Sequence, residues 1–366
     1  MSGALIQLVS KGVQDVYLMS DEGHSFFRTK FMRHTNFSQV PKLIKTVNED
    51  DISITIPVLG DVINALWLQG SDKMMDMFYK STIDLYIGGQ KIDSHHFDYY
   101  ADIWPNYLAD TYSKSRELNT KASNGNPSFL PLHFFFCDHK AFLPLLALQN
   151  HQVELKINYN PASLVGLTDE EKSVDVYGNY IFLDKDERET LIKRQLDLVI
   201  TQVQRMEYRL NTFDGYNTFD LSSFNHPVKS LFFGFDTSLN DYKIDFFTFT
   251  SADLQVNGTY LFENMKPSYF HTAQNYYKSQ YGVSEFDSSR NAMIFTRYFA
   301  YHFCMNASEY NPSGSCNFSR LDNAKMIIRG ASVGSGRSDT PPVYVYALNY
   351  NVLRIKDGLG GILFSN

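Results

Sequence analysis

The sequence predicts an all-β chain made of two tandem antiparallel sandwiches. Three observations carry that expectation: a long-period internal repeat, recurrent period-two alternation, and a surplus of aromatic over charged residues. Phe (29) and Tyr (24) lift the aromatic share to 15% while charged residues stay at 20%, a balance that favours half-buried strands. Asp84-Leu85-Tyr86-Ile87-Gly88-Gly89 returns downstream as Asp253-Leu254-Gln255-Val256-Asn257-Gly258. A second echo has the same order: Ala147-Leu148 leads to Val153-Glu154-Leu155-Lys156-Ile157, and Ala347-Leu348 leads to Val352-Leu353-Arg354-Ile355. A period this long means two whole domains rather than a solenoid, and halving 366 residues gives units of ordinary domain size. The second echo is spaced more widely than the first, which places extra residues in the loops of the second copy.

Taken along the chain, Ile52-Ser53-Ile54-Thr55-Ile56-Pro57-Val58 alternates apolar and polar, the mark of a strand with one buried face. Ile83, Leu85 and Ile87 repeat the pattern, as do Val153, Leu155 and Ile157, and then Leu254 and Val256. Residues 246–250, 293–303 and 343–346 add further strands. Residues 60–68 fit either a helical stripe or a strand and stay unassigned. Asp184-Lys185-Asp186-Glu187 opens a short surface helix ending near Lys193, with Asp184 as its N-cap. The polar stretch 211–225 reads as the domain boundary. Each copy of the repeated hairpin strand is followed by a long mixed segment, residues 94–129 and 262–291, expected to project from the same end of its domain as a functional surface.

Charge and targeting signals exclude several classes. Lys and Arg number 33 against 40 Asp and Glu, a net charge of −7 without a basic block, which argues against binding a genome directly. No secretory signal is visible at the N-terminus, and no apolar run is long enough to span a bilayer. Three cysteines, Cys137, Cys304 and Cys316, lack any CxxC pair and read as reduced thiols.

The candidates for chemistry are thin. His95-His96 beside Asp93 and Asp98 suggests a metal cluster, but neighbours on a strand point to opposite faces. Cys137-Asp138-His139 puts a thiol near an imidazole with nothing to orient the base. Gly330, Gly334 and Gly336 lack the Lys-Ser/Thr ending of a phosphate loop. Asn-x-Ser/Thr sequons occur at Asn36, Asn257, Asn306 and Asn317, of which Asn257 and Asn306 are kept as glycosylation candidates. No catalytic, cofactor-binding or metal site is expected, and the chain reads as structural rather than enzymatic.

Pro312-Ser313-Gly314-Ser315-Cys316-Asn317-Phe318-Ser319-Arg320-Leu321-Asp322-Asn323-Ala324 resembles a signature of the major capsid proteins of nucleocytoplasmic large DNA viruses. Asp15-Val16-Tyr17-Leu18, Arg33-His34-Thr35-Asn36-Phe37-Ser38, Phe224-Asn225-His226-Pro227-Val228-Lys229 and the ending from Tyr346 to Asn366 resemble the same family. The chain departs from it at Met19 to Ser25, where many relatives carry a Gly-Asn-Pro turn.

What the resemblance implies is a double jelly roll, two tandem eight-stranded antiparallel sandwiches with short helices and long surface loops. The expected division is an N-terminal arm (1–24), a first jelly roll (25–204), a linker (205–218) and a second jelly roll (219–366). Three chains would form a pseudo-hexameric capsomer that tiles an icosahedral shell, in contact with neighbouring capsomers, minor capsid and penton proteins and the region of an internal membrane. The expected location is the virion, after assembly in the host cytoplasm. The alternative is a jelly-roll carbohydrate-binding module, which would be a monomer with glycan-responsive fluorescence from Trp67 or Trp104.

Overall fold

The computed structural model describes residues 13–17, 27, 33–111, 113–114, 128–138, 141–211, 215–235, 247–279, 286–287, 292–293, 298–333 and 342–365. Residues 1–36 form a unit of their own, in which Val13–Tyr17 is a short 3-10 helix. Most of the arm expected over residues 1–24 lies outside the described residues.

Among the described residues of the unit 37–366, the alternation in the sequence becomes sixteen principal strands. The first eight are β1 (Phe37–Val47), β2 (Ser53–Ile56), β3 (Val62–Gly70), β4 (Thr82–Ile87), β5 (Gln90–His96), β6 (Ser128–Pro131), β7 (Val153–Asn158) and β8 (Val174–Leu183). They make two antiparallel sheets, β1-β8-β3-β6 and β2-β7-β4-β5, the interleaved order of a jelly roll. The next eight are β9 (Leu196–Arg209), β10 (Tyr216–Asp220), β11 (Pro227–Phe235), β12 (Ser251–Val256), β13 (Thr259–Met265), β14 (Tyr298–His302), β15 (Ala324–Arg329) and β16 (Pro342–Lys356). Their sheets run β9-β16-β11-β14 and β10-β15-β12-β13, the same topology repeated. A last short strand, β17 (Leu359–Ile362), folds back on β16.

The first sequence echo is the same hairpin in both copies. The β4–β5 turn uses Gly88 and Gly89 at φ 57 and 80, and the β12–β13 turn uses Asn257 and Gly258 at φ 47 and 83. Both pairs have the positive φ that a two-residue hairpin needs to match strand twist. The second echo is a coincidence of apolar alternation. Val153 opens β7, whose counterpart is β15, whereas Val352 lies in β16, the counterpart of β8. The inference of extra loop residues in the second copy falls with it: Thr82 and Ser251, Gln90 and Thr259, and Val153 and Ala324 open corresponding strands at nearly constant spacing.

Of the ambiguous residues 60–68, Val62 onward falls in β3. Its register slips between Ile63 and Ala65, so the inward phase changes mid-strand and the apolar pattern imitates a helical stripe. The surface helix forms at Lys185–Lys193, with the Asp184 carboxylate accepting from the Lys185 amide at 2.7 Å. Arg188 ties this helix to the first sandwich by an ion pair with Asp61 at 2.9 Å.

Residues 205–218, expected as a linker, hold the end of β9 and the start of β10. β9 pairs with β16 along its whole length, from Leu196 opposite Ile355 to Arg209 opposite Pro342. This ladder contributes side chains to both cores. At one end Ile200, Leu353 and Ile355 join the core of the first, together with Leu85, Leu155 and Val176. Toward the other end Val343, Val345 and Ala347 join the core of the second, where Phe233 packs within 5.7 Å of the Phe249, Phe270 and Phe299 rings. Two strands thus belong to both cores, and the sandwiches share backbone hydrogen bonds as well as surface.

Candidate functional site

The long segments after the two equivalent hairpins both begin with a π-helix, Tyr99–Leu108 and Tyr269–Ala273. π-turns are rare and concentrate at functional places. Each is anchored by an aromatic plug: Tyr100 is sealed in the first core, and Phe270, at the equivalent place, in the second.

The first π-helix does more than close its own sandwich. Tyr99, Ile103, Tyr107 and Leu108 pack on Phe232, Ala300, Tyr344, Tyr346 and Leu348, which stand on the outer face of the second domain's β9-β16-β11-β14 sheet. This third core explains why β16 is buried on both faces from Val343 to Asn351. Burial of large aromatics at such a seam contributes roughly 1.5–3 kcal/mol per side chain.

Polar groups fix the register of the seam. The Asp98 carboxylate accepts from the hydroxyls of Tyr298 at 2.9 Å and Tyr346 at 3.3 Å. The Tyr107 hydroxyl donates to the Tyr298 carbonyl and meets His271 Nδ1 at 2.9 Å, which assigns the imidazole Nδ1–H as donor. On β9, the Val203 backbone amide donates to Asp93 at 2.9 Å and the Gln202 side-chain Nε2 donates to the Ile92 carbonyl. Arg205 lies 3.6 Å from the Tyr344 ring and donates to His96 Nε2 at 3.3 Å. Burial, helped by the Arg205 charge, holds the His96 pKa down at about 3. Burial alone brings His271 to about 4, and burial with Lys229 and Lys278 brings His302 to about 3. These imidazoles are neutral at pH 7, as the seam requires.

The histidine pair expected not to converge is indeed split by the pleat. His95 points inward to Asp93 at 2.8 Å and the Tyr100 hydroxyl at 2.8 Å, while His96 faces the seam. Among the described residues no group of His, Cys, Asp and Glu could hold a metal. Cys137 is a free thiol whose pKa burial pushes up to about 12, which leaves it protonated; His139 lies outside the described residues. Gly334 and Gly336 also lie outside them.

Asn257 is exposed at the β12–β13 turn, and its Oδ1 accepts from the Asp322 and Asn323 amides at 3.2 and 3.1 Å. Asn306 is half-buried and accepts from the Ser308 amide at 3.0 Å. Asn317 caps a 3-10 turn at Phe318–Arg320. Asn257→Ala is expected to cost about 1–3 kcal/mol in urea unfolding, because alanine is strained at positive φ and two backbone amides lose their acceptor.

Sequence reasoning missed Tyr107, Tyr298, Tyr346 and Arg205. The available signal was the aromatic pair after each repeated hairpin, Tyr99-Tyr100 and Tyr269-Phe270, which marks the start of both π-helices.

The flanks carry exposed apolar side chains. Edge strand β1 presents Phe37, Val40 and Leu43, and the second domain's outer strands β10 and β13 present Tyr216, Tyr260 and Leu261. No helix among the described residues is long and apolar enough to cross a membrane.

Two jelly rolls of one topology, welded through shared strands and offering apolar edges on both flanks, define the class of double jelly-roll shell proteins. The comparisons agree. A family model described as large eukaryotic DNA virus major capsid protein matches residues 187–361, and one for the major capsid protein N-terminus matches residues 25–184. The chain belongs to this family of major capsid proteins of large eukaryotic DNA viruses. It is 30% identical to the major capsid protein of Pyramimonas orientalis virus and 28% identical to that of Paramecium bursaria Chlorella virus 1, each over 100% of both chains. The quasi-atomic PBCV-1 virus capsid superposes with a TM-score of 0.76 at 25% identity, covering 93% of this chain and 100% of that one. The Faustovirus major capsid protein shares the fold at a TM-score of 0.59 and 10% identity, over 95% of each chain. These relatives lend the carbohydrate-binding alternative no support. The two family models meet between residues 184 and 187, ahead of β9 rather than within it.

Proposed function

We propose that this capsid protein assembles as a homotrimer whose six sandwiches form a pseudo-hexameric capsomer, and that such capsomers tile an icosahedral shell. The observation that carries the reading is the welded duplication: two similar but distinguishable wedges in one rigid chain let three chains fill six positions. A three-fold rotation closes such a heterologous contact into a ring, with one domain's flank against the other domain of the next copy. On this reading the first jelly roll is residues 37–183 and the second residues 196–362, joined by the Lys185–Lys193 helix. The segments after the equivalent hairpins, which meet at the Tyr107–His271 contact, form the outward face. Weak contacts between capsomers become a stable shell through multivalency, with minor capsid and penton proteins as further partners. Assembly in the host cytoplasm and an N-terminal arm near an internal membrane complete the proposal, as does a purely structural, non-enzymatic role.

Size-exclusion chromatography with light scattering tests it: the mass of three chains is expected, and a concentration-independent monomer contradicts it. The apolar edges supply a sharper test. Phe37→Asp with Leu43→Asp is expected to yield folded monomers, because both side chains are about half exposed in the single chain (47% and 48%) and are available for an interface. Unchanged trimer mass in the double variant would place the contact elsewhere. Asn257 and Asn306 are proposed to act as turn acceptors first, and the intact mass of protein from infected cells reports whether either also carries a glycan.

A further inference from the structure

The duplicated fold presents one face twice, once covered and once open. In the second sandwich the row Arg205, Tyr346, Phe232, Ala300 crosses β9, β16, β11 and β14, each residue opposite the next. In the first sandwich Leu43, Tyr177, Trp67 and Pro131 cross β1, β8, β3 and β6 in the same way. The rows correspond: Val174-Asp175-Val176-Tyr177 of β8 returns as Val343-Tyr344-Val345-Tyr346 of β16, at the spacing that separates Asp84 from Asp253. An aromatic pair stands at the centre of each, Tyr346 beside Phe232 and Tyr177 stacked on Trp67 at 5.5 Å. Their surroundings differ. Tyr346, Phe232 and Ala300 are fully buried because the first π-helix lies on them, with the Tyr107 ring 5.8 Å from Phe232. Tyr177, Trp67 and Pro131 are only half-buried and Leu43 is exposed; β8 alternates buried and half-buried residues where β16 is buried on both faces. At its Pro131 end the open row borders the cavity between the sandwiches, which Asp110 and Lys114 also line; Tyr177 and Leu43 lie outside that lining and lead to edge strand β1.

The second hairpin-following segment supplies a matching cap. Counted from the aromatic pair that opens each segment, Tyr277 corresponds to Tyr107. Tyr107 is buried in the seam, whereas Tyr277 and its neighbour Tyr276 are 76% and 79% exposed, their rings in edge contact at 4.9 Å. Aromatic side chains this open, where the counterpart is a buried wedge, are what an unfilled interface presents. Charge points the same way: Leu108 and Tyr344 share the apolar seam, and the corresponding positions hold Lys278 and Asp175, opposite in sign. We propose that Tyr276 and Tyr277 of one chain dock on the Leu43, Tyr177 and Trp67 row of a second copy. Each sandwich is then capped by the segment of the one before it, within the chain from first to second domain and between chains from second domain to the next first domain. This chain's own Tyr277 stands exposed, so the tyrosines that cover its open row come from another copy. The inference rests on the trimer reading and adds which surfaces meet.

The test is photo-cross-linking of the purified full chain carrying Tyr277→benzoylphenylalanine. Irradiation is expected to join chains covalently, and mass spectrometry to map the adduct to residues 37–47, 62–70 or 174–183 of the partner chain. A second variant, Tyr276→Ser with Tyr277→Ser, removes the cap without touching a core, so its circular dichroism is expected to match the parent. Its association is expected to weaken roughly thirtyfold or more per contact, the size of an aromatic hot spot. Adding Trp67→Ala to that variant is expected to weaken association little further, because the two changes remove one contact. A trimer whose adducts map elsewhere, or whose dissociation constant the serine variant leaves unchanged, would overturn this docking and leave the trimer reading standing. A parent chain that is monomeric by light scattering would overturn both.

Discussion

Truncating Tyr346 to alanine is expected to lower the stability of the chain by about 3–5 kcal/mol, the range for removing a fully buried aromatic ring. Tyr346 is 0% exposed and sits where the welded strands meet the π-helix of the first sandwich. Its ring packs edge-on against Tyr298 at 5.7 Å and lies 5.8 Å from the Arg205 guanidinium. Its hydroxyl is one of two phenols that satisfy Asp98. Alanine would therefore open a cavity and leave a buried carboxylate with one donor fewer, two costs that fall on the same contact. Tyr346→Phe separates them, since it keeps the ring and removes the hydroxyl; about 1.5–3 kcal/mol is expected for a bond to a charged acceptor. Equilibrium urea unfolding measures both, with limited proteolysis near residues 184–196 as a local readout of seam opening. A loss below about 1 kcal/mol for alanine would mean that the ring is not packed as described, because only surface substitutions are normally that mild.

Acid is expected to open the same seam. In the unfolded chain a histidine titrates near 6.5, whereas His271 is held at about 4 and His96 and His302 at about 3. Between those values the unfolded state binds more protons than the folded one, so stability is full above about pH 6.5 and falls as the pH drops toward 4 and then 3. Each such imidazole contributes a slope of up to ~1.4 kcal/mol per pH unit. The groups facing them do little to offset this. His302 looks at Lys229 and Lys278, His271 at the Tyr107 hydroxyl and the Phe299 ring, and His96 at Arg205 and Lys91 with Asp84 as the nearest opposing charge. Urea midpoints measured from pH 7.5 to 4.5 are expected to fall steeply below pH 6.5, and His271→Gln to flatten part of that fall. A midpoint unchanged between pH 7 and 5 would contradict the burial of these rings.

The hairpin repeat, the strand alternation and the capped helix at Lys185–Lys193 were legible because each is a local pattern with a local cause. The weld was not. Val343-Tyr344-Val345-Tyr346-Ala347-Leu348 reads as a strand apolar on both faces, but only the fold reveals that the π-helix of the other sandwich covers the second face. The same gap displaced the domain boundary. Gln202, Gln204 and Arg205 look like solvated residues leading into a linker, yet their side chains reach the Ile92 carbonyl, the Asn225 carbonyl and His96. Polar side chains that bond across a seam cannot be told from surface ones by composition. Lys229 is the extreme instance: it closes the Phe224–Lys229 motif, and its burial and its bond to the Glu309 carbonyl emerge from the tertiary packing alone.

Imaging the purified assembly by electron microscopy tests the account most directly. Two welded jelly rolls per chain and three chains per particle should give class averages with three-fold symmetry and six lobes around a hexagonal outline. Isolated two-lobed particles, or rings with a number of lobes other than six, would contradict it.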